Sequence, residues 1–350
     1  MELRQARNLL VCLRWGIGDV VMELPLLQAL RQSVPAARIT ALGANPAVEL
    51  LRGEGVVDAV QAVQTFGISH WGDAGCAAAR AEIVGWCRRA GFDYVLDSSH
   101  APQGVQMALW EVALPGRDTG CFDAAAASVR HLDGCARLAA AGRSTWGVDV
   151  DATACPQLHL GAPEHRAARA LRTALAPPSM PLIGVAPIAS SHLKRGAVAQ
   201  FSAVADTLLA AVDARVTVFA GDQQPLAEAM VATMQQPHRA RVVPVMDLRS
   251  TAALLAQCRV LVCNDTGLMH LAAAVGTPVV AVFACTSPRL YLPRGGTAVQ
   301  RWDYPCSHVV HDDFGVAPCV ARNRCVDPEH GRRNRERWAG AAAAAALRHL

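Results

Sequence analysis

The chain has 350 residues, which exceeds the length of a usual single core and predicts two domains. Hydrophobic residues make up 52% of it, but alanine accounts for much of that fraction and no run of about 18 apolar residues occurs, so we expect no membrane-spanning helix. The net charge of +4 is small for this length and argues against nucleic acid as a partner.

The start of the chain and its cysteines indicate a cytoplasmic protein. Residues 1–7 lead directly into an apolar run, without the long apolar segment of a secretory signal. The 12 cysteines are scattered and most lie in apolar or helical stretches, so we expect free thiols rather than a disulfide framework. The basic cluster at residues 332–337 is either a solvated helix face or a docking patch for an anionic acceptor or the inner membrane surface.

The first half of the chain alternates predicted strands and helices. Residues 8–13 form a continuous apolar run, which is typical of a parallel strand covered on both faces, and leucines at helical spacing follow between residues 24 and 30. Further strands are predicted at residues 38–43 and 92–97, and a helix is predicted in the alanine-rich segment 124–141. Strand, helix and strand in this order imply a right-handed crossover.

The second half repeats this order after a proline-rich segment. Prolines between residues 148 and 181 mark a hinge, so we divide the chain into lobes at residues 1–165 and 166–337. A final helix, residues 338–350, is expected to pack back on the first lobe. The strands of the second lobe are predicted at residues 182–186, 216–221, 242–243, 260–262 and 277–283. These elements predict an α/β fold, with two Rossmann-like lobes whose parallel sheets face a central cleft.

A predicted loop in the second lobe carries several polar groups just before a helix. Asn264 or Asp265 can cap that helix, Thr266 adds a hydroxyl donor, and Gly267 lets a ligand approach the backbone closely. The helix N–H groups and the helix dipole favour a diphosphate, and His270 falls one turn further along. The alternative is an ordinary helix cap followed by a core histidine.

A second glycine-bearing loop follows the first predicted strand. Gly16 and Gly18 tolerate a tight turn there, and the third glycine of a dinucleotide-binding fingerprint is absent. Asp19 comes next and is either a helix cap or a general base. A general base would activate a hydroxyl group, which is a poor nucleophile until a carboxylate takes its proton.

A basic pair, Lys194 and Arg195, follows the first strand of the second lobe. It is either a solvated pair or a phosphate-facing site. An ammonium in that place would stabilise the charge that grows on a departing nucleoside diphosphate more than it stabilises the ground state.

Together these loops resemble the heptosyltransferases of glycosyltransferase family 9, which transfer heptose from ADP-heptose in lipopolysaccharide core synthesis. The resemblance rests on three ordered blocks: residues 16–19 followed by residues 25–27, the pair Lys194 and Arg195, and residues 264–280. It extends over most of the chain, from about residue 8 to residue 288.

The resemblance implies a GT-B fold, with the acceptor bound mainly by the first lobe and the nucleotide sugar by the second. Transfer would be inverting and metal-independent, with no cofactor beyond the ADP-sugar donor substrate. Asp19 would be the general base and Lys194 the phosphate-facing cation. The donor-binding set would comprise Gly18, Arg195, Gly221, Asp222, Asn264, Asp265, Thr266, Gly267 and His270, of which Gly221 and Asp222 would lie near the adenosine.

Two positions depart from the family pattern. Gly196 stands where an aromatic residue often follows the basic pair, and Ala284 stands where a glycine often follows the last apolar strand, so donor packing is expected to differ.

The C-terminal tail carries side chains that commonly bind metals. Autotransporter heptosyltransferases, which this chain resembles in fold, hold a cysteine-bound iron near their own C-terminus. No C-x-x-C pair occurs here and the spacing matches no common zinc pattern, so we expect unpaired thiols and no metal. The residues concerned are Cys306, His308, His311, Cys319 and Cys325.

These features predict an enzyme that transfers heptose, or a close sugar, from an ADP-linked donor to a glycan, glycolipid or protein acceptor. One alternative acceptor is an autotransporter protein or a small molecule. A nucleotide-sugar epimerase is a second enzyme hypothesis, and a non-catalytic nucleotide-sugar-binding or assembly subunit belongs to another class. Asp19 and Lys194 in matching loops favour the transferase.

Overall fold

A computed structural model of the chain describes residues 2–13, 16–63, 77–98, 132–284, 286–300 and 338–350. The chain divides into two compact units, Met1–Pro156 and Gln157–Leu350. Among the helices of these described segments, none is long and apolar enough to cross a membrane.

The first unit is built on a four-stranded parallel sheet with the strand order β3-β2-β1-β4. Leu9, Leu10 and Val11 of β1 are completely buried, as expected for a central strand covered on both faces. Part of the alanine-rich segment predicted as a helix is confirmed as α3, and residues 124–131 lie outside the described ranges. The elements are β1 (Asn8–Cys12), α1 (Ile17–Ser33), β2 (Arg38–Ala44), β3 (Ala59–Val63), α2 (Ala77–Ala90), β4 (Tyr94–Asp97) and α3 (Gly134–Ala141).

The second unit is built on a six-stranded parallel sheet with the strand order β10-β9-β8-β5-β6-β7. Its elements are α4 (Ala162–Leu175), β5 (Leu182–Ala186), α5 (Val198–Ala211), β6 (Arg215–Val218), α6 (Gln224–Ala232), β7 (Ala240–Val242), α7 (Leu248–Leu255), β8 (Val260–Asn264), α8 (Gly267–Ala274), β9 (Val279–Phe283), α9 (Pro288–Tyr291), β10 (Thr297–Gln300) and α10 (Ala339–Leu347). Both units thus have the parallel-sheet, Rossmann-like layout that we expected of a GT-B fold.

Both sheets contain a point at which the strand order reverses. In the first unit this point lies between β1 and β4, and in the second it lies between β5 and β8. Loops that leave the carboxyl ends of two such strands diverge and leave a crevice, which is where ligands bind in open α/β sheets. The two glycine-bearing loops identified in the sequence follow β1 and β8, so each lies at such a point.

The connecting segment before β5 belongs to the second unit. The Leu158 N–H donates to the carbonyl of Ala274, and Arg249 of α7 forms an ion pair with Glu164 of α4. The division therefore falls after Pro156, earlier than the expected boundary at residue 165.

The C-terminal helix α10 requires a correction. It packs on α5 and on the strands β8 and β9, and the Ala339 N–H donates to Gln200 Oε1 of α5 over 3.2 Å. It is therefore part of the second unit, whereas we expected it to pack back on the first. The prediction was wrong because the helix consists almost entirely of alanine, so its sequence does not indicate which face packs against which partner. Its buried residues are Ala342, Ala343, Ala345 and Ala346.

Cysteines of the first and second units are free thiols, as expected: Cys12, Cys87, Cys258 and Cys263. Cys12, Cys87, Cys258 and Cys263 are buried, and burial raises the pKa of Cys87 and of Cys258 to about 12. These thiols remain protonated at neutral pH and act as small apolar side chains.

A pair of substitutions in α10 tests its assignment to the second unit. Ala342→Gly removes a buried methyl group and lowers helix propensity, and we expect it to destabilise the second unit by about 1 to 2 kcal/mol. Amide hydrogen exchange should then accelerate in α5 and leave β1 and β2 unchanged. Gly340→Ala is the control, because a Cβ there meets nothing within 4 Å, and it should slow exchange in α10. Acceleration in β1 after Ala342→Gly would contradict the assignment.

Candidate active site

Asn264, the last residue of β8, ties together the two loops at the reversal point of the second sheet. It is fully buried, and its Oδ1 accepts a hydrogen bond from the Gly196 N–H at 2.8 Å. Its Nδ2 donates to the Pro187 carbonyl over 2.8 Å. We call residues 187–197 the β5 loop. Because Asn264 bonds both ends of this loop, it fixes the loop's path beside β8.

Thr266, rather than Asn264 or Asp265, is the N-cap residue of α8, and its side chain makes no capping hydrogen bond. The suggestion that Asn264 or Asp265 caps this helix is therefore wrong. Asn264 instead bonds the β5 loop, and Asp265 bonds side chains from other segments. Thr266 and Gly267 are half-buried at the start of α8, where backbone N–H groups lack intrahelical acceptors.

A charge pair connects the β5 loop to the residue after β8. Lys194 Nζ lies 2.9 Å from Asp265 Oδ2, and the two side chains are 19% and 5% exposed. The Thr286 hydroxyl donates to the same oxygen over 2.6 Å. Lys194 Nζ also lies 5.7 Å from the centroid of the Tyr291 ring. The cation is thus held in place by an acidic partner and an aromatic neighbour.

The pKa of Asp265 is lower than usual, although the group is buried. Burial alone would raise this pKa, but the Lys194 charge, the Thr286 hydrogen bond, the Lys194 hydrogen bond and the nearby His270 outweigh it. Asp265 is therefore ionised at neutral pH. His270 itself is buried on α8, one turn beyond Gly267, as its spacing predicted.

The remaining donor-side candidates lie in neighbouring loops at the same sheet edge. Arg195 follows Lys194 and is half-buried, and its Nε is buried without a hydrogen-bond partner in the described part of the chain. Gly221 and Asp222 are exposed in the loop after β6, which pairs with β5. Gly221 has φ of 53°, a left-handed conformation that favours glycine. The structure thus joins Lys194 and Asp265 directly and places Gly221 and Asp222 one strand away.

In the first unit, Asp19 lies in the first turn of α1, at the carboxyl end of β1. Its Oδ2 accepts a hydrogen bond from the Gly16 N–H at 3.1 Å, which closes a capping arrangement at the start of the helix. Gly18 lies in the same turn. The capping interpretation of Asp19 is thereby confirmed, and the capping bond also fixes where its half-buried carboxylate lies.

A buried polar contact next to Asp19 was not predicted from the sequence. Glu23 lies one helical turn after Asp19 and is completely buried, and the Ser98 hydroxyl lies 2.7 Å from its Oε1. The same hydroxyl lies 3.1 Å from the Cys12 carbonyl. This contact joins α1 to the end of β4 at the reversal point. The position of Glu23 within a leucine-rich helix was the sequence feature that could have indicated this contact. No sequence feature indicated Ser98.

No group of three metal-binding side chains occurs among the residues that the structure describes. The tail candidates, Cys306, His308, His311, Cys319 and Cys325, lie outside these residues.

Sequence comparisons with known proteins agree on one family. The profile of glycosyltransferase family 9 (heptosyltransferase) matches residues 133–313. Lipooligosaccharide heptosyltransferase 2 of Haemophilus influenzae is 47% identical over 47 residues, which cover 13% of this chain and 13% of that protein. Lipopolysaccharide heptosyltransferase 1 of Pseudomonas aeruginosa is 34% identical over 89 residues, which cover 25% of this chain and 22% of that protein. The chain thus matches less than a quarter of the length of these curated relatives.

Similarity in fold extends much further than similarity in sequence. The ADP-heptose lipopolysaccharide heptosyltransferase II of E. coli has a TM-score of 0.67 at 18% identity, covering 97% of this chain and 99% of that chain. A glycosyl transferase of family 9 from Veillonella parvula has a TM-score of 0.67 at 19% identity, covering 86% of both chains.

The charge pair makes a stability prediction. Lys194→Met leaves a buried carboxylate without its cation, and we expect the free energy of unfolding to fall by about 1 to 3 kcal/mol at pH 7. Because the folded-state pKa of Asp265 is lowered from 3.8, its contribution is complete above that value and is lost as the pH falls through the folded pKa. The deficit should therefore shrink in urea unfolding at pH 3.

Arg259→Met is the control for this experiment, because it removes an exposed cation immediately before β8, at the opposite end of the strand. This variant should lower the free energy of unfolding by less than about 0.5 kcal/mol at either pH. If both variants lose the same free energy of unfolding at pH 7, the Lys194–Asp265 pair does not make the expected contribution.

Proposed function

Because the chain belongs to glycosyltransferase family 9, the heptosyltransferase family, we propose that it moves heptose, or a closely related sugar, from ADP-heptose to a hydroxyl of a glycan acceptor such as lipopolysaccharide core. The observation that carries this proposal is the Lys194–Asp265 pair beside the N-terminus of α8. It combines a fixed cation with backbone N–H donors, which is a suitable environment for a diphosphate.

The second unit holds the donor in this proposal. The N–H groups at the start of α8 face the diphosphate, with Thr266 and Gly267 close to it, and His270 contacts the sugar or phosphate one turn later. Arg195 supplies a further cation, and Gly221 and Asp222 lie toward the adenosine. Asp265 acts mainly through Lys194, whose ammonium it holds at 2.9 Å. Asn264 supports both by fixing the β5 loop.

The first unit supplies the base. Asp19 takes the proton of the acceptor hydroxyl as its oxygen attacks the anomeric carbon, while the bond from that carbon to the β-phosphate oxygen breaks. ADP leaves with the bonding electrons, and the configuration at the anomeric carbon inverts. Lys194 stabilises the negative charge that develops on the leaving oxygen, so no metal ion is needed for that step. Gly18, next to Asp19 in the first turn of α1, contacts the donor in this proposal.

The acceptor is assigned by analogy with the relatives, whose names specify lipopolysaccharide and lipooligosaccharide. A glycan of this kind is carried on a lipid, so contact of the protein with the inner membrane surface is part of the proposal.

Nucleotide preference is the first test. Isothermal titration in buffer containing EDTA should detect ADP binding that is tighter than binding of UDP or GDP. Lys194→Met should weaken ADP binding by about 10- to 100-fold, since it removes a charge-assisted contact and leaves Asp265 to repel the phosphates. Arg259→Met, at the far end of β8, should not change it. A preference for UDP, or a need for a divalent ion, would overturn the assigned donor chemistry.

The base is tested by a substitution that keeps the helix cap. Asp19→Asn retains a side-chain oxygen that can accept the Gly16 N–H hydrogen bond but cannot take a proton, so turnover of ADP-heptose with a truncated lipopolysaccharide core should fall by about 100-fold or more. ADP affinity should remain within about twofold of the parent.

The matched control is Glu164→Gln. Glu164 caps α4 through the Gly161 N–H in the same arrangement, but α4 follows no strand of either sheet. This variant also removes the ion pair with Arg249, so it should lower stability but leave turnover intact. Full activity of Asp19→Asn would show that Asp19 is only a cap.

A further inference from the structure

Trp338, at the start of α10, packs directly against the β5 loop. Its indole is 4% exposed, and its ring lies 4.8 Å from the Phe201 ring in an edge-to-face arrangement at 69°. The next residue, Ala339, bonds Gln200 through its backbone N–H. The start of α10 is thus attached to α5 at two neighbouring points, immediately after the β5 loop ends.

Gly196 is the residue of the β5 loop that meets this indole. A Cβ on Gly196 would lie 2.5 Å from Trp338 Cζ2 and 3.3 Å from Phe201 Cε2. Its backbone does not have a positive φ, so conformation does not demand a glycine here. Space demands it, because a rigid aromatic ring occupies the volume that any larger side chain would need.

The β5 loop therefore makes two contacts at the same residue. The Gly196 N–H donates to Asn264 Oδ1, and the Trp338 indole packs where a Gly196 Cβ would lie. Lys194 is only two residues earlier, in a tight turn in which its N–H donates to the Ser191 carbonyl. Gly196 and the backbone that carries the Lys194 side chain thus belong to the same short turn.

The indole N–H does not explain why tryptophan is present. Trp338 Nε1 is buried without a hydrogen-bond partner in the described part of the chain, which is unfavourable for stability. The benefit of the residue therefore comes from the size and flatness of its ring.

We propose that Trp338 is a positioning residue for the donor site: by packing on Gly196 it holds the β5 loop against Asn264 and so sets the position of Lys194. This rests on the proposed function only in naming the nucleotide diphosphate as the ligand that benefits. The start of the C-terminal helix thereby supports the donor site through packing.

Hydrogen exchange of the ligand-free chain tests the positioning role without reference to any substrate. Trp338→Ala should accelerate exchange at least about threefold in peptides covering residues 189–197. Trp338→Phe, which keeps a ring and removes the unsatisfied N–H, should restore most of the protection. Trp338→Leu replaces Trp338→Ala if circular dichroism shows that the latter does not fold.

Ala346→Gly is the matched control. Ala346 is fully buried in the same helix, two turns beyond Trp338. The substitution should lower the melting temperature and leave exchange in the β5 loop unchanged. If Ala346→Gly accelerates exchange in the loop as much as Trp338→Ala does, Trp338 contributes only general packing of the helix. The proposal is then overturned.

ADP titration then links the loop to the ligand. Trp338→Ala should raise the dissociation constant for ADP by about 3- to 10-fold, since a loop that the indole held must now be ordered on binding. Ala346→Gly should not raise it. Gly196→Ala should also weaken ADP binding, and by less in the Trp338→Ala background, because the clash is then removed. If the effects of Gly196→Ala and Trp338→Ala on the dissociation constant for ADP are additive, the two residues do not act through a shared contact.

The two proposals fail in different ways. If the parent chain does not bind ADP, the proposed function fails, while the exchange experiment still decides whether Trp338 holds the loop. If ADP binds and the Trp338 variants exchange and bind like the parent, only the positioning role fails.

Discussion

The buried charge pair between Lys194 and Asp265 constrains the binding edge of the second unit. An ionised carboxylate that is 5% exposed is costly unless a cation and hydrogen bonds compensate for the lost water, and here Lys194 and Thr286 do so. Lys194 comes from the loop after β5 and Asp265 follows β8. The pair can form only because the strand order makes β5 and β8 neighbours at the point of reversal.

A charge pair helps catalysis only if its position is settled before the substrate arrives. The surroundings of Lys194 meet this condition through neutral contacts: the amide of Asn264 bonds the β5 loop, and the indole of Trp338 fills the space over Gly196. These contacts are buried, so water does not compete for them. In the proposed donor site, the charged residues select the ligand and the neutral residues fix where those charges lie.

Periodicity was sufficient to predict two α/β halves, because strands covered on both faces must be apolar throughout; β1, β5 and β9 appear in the sequence as such runs. The strands β3 and β10 were not predicted, and the GT-B fold was implied by the family resemblance. The candidate residues around β8 were predictable because glycine, hydroxyl and acidic groups followed a strand. The partner of α10 was not, because nearly uniform alanine carries no directional pattern. Thr286 and Trp338 could not be found either, since their contacts arise only once distant segments are packed together.

Asp19 and Glu164 show that the same kind of helix cap can occur at different places in the fold. Gly16 with Asp19 and Gly161 with Glu164 form the same cap, an acidic side chain in the first turn that accepts the N–H of a preceding glycine. The two caps differ in that Glu164 also forms an ion pair with Arg249. Only the cap formed by Gly16 and Asp19 lies at the carboxyl end of a central strand. This position is beside the reversal point between β1 and β4, where ligands bind in open parallel sheets. In the proposed mechanism, the capping bond at the start of α1 holds a carboxylate in position to receive a proton. The cap of α4 follows no strand, and its Glu164 is engaged by that ion pair with Arg249.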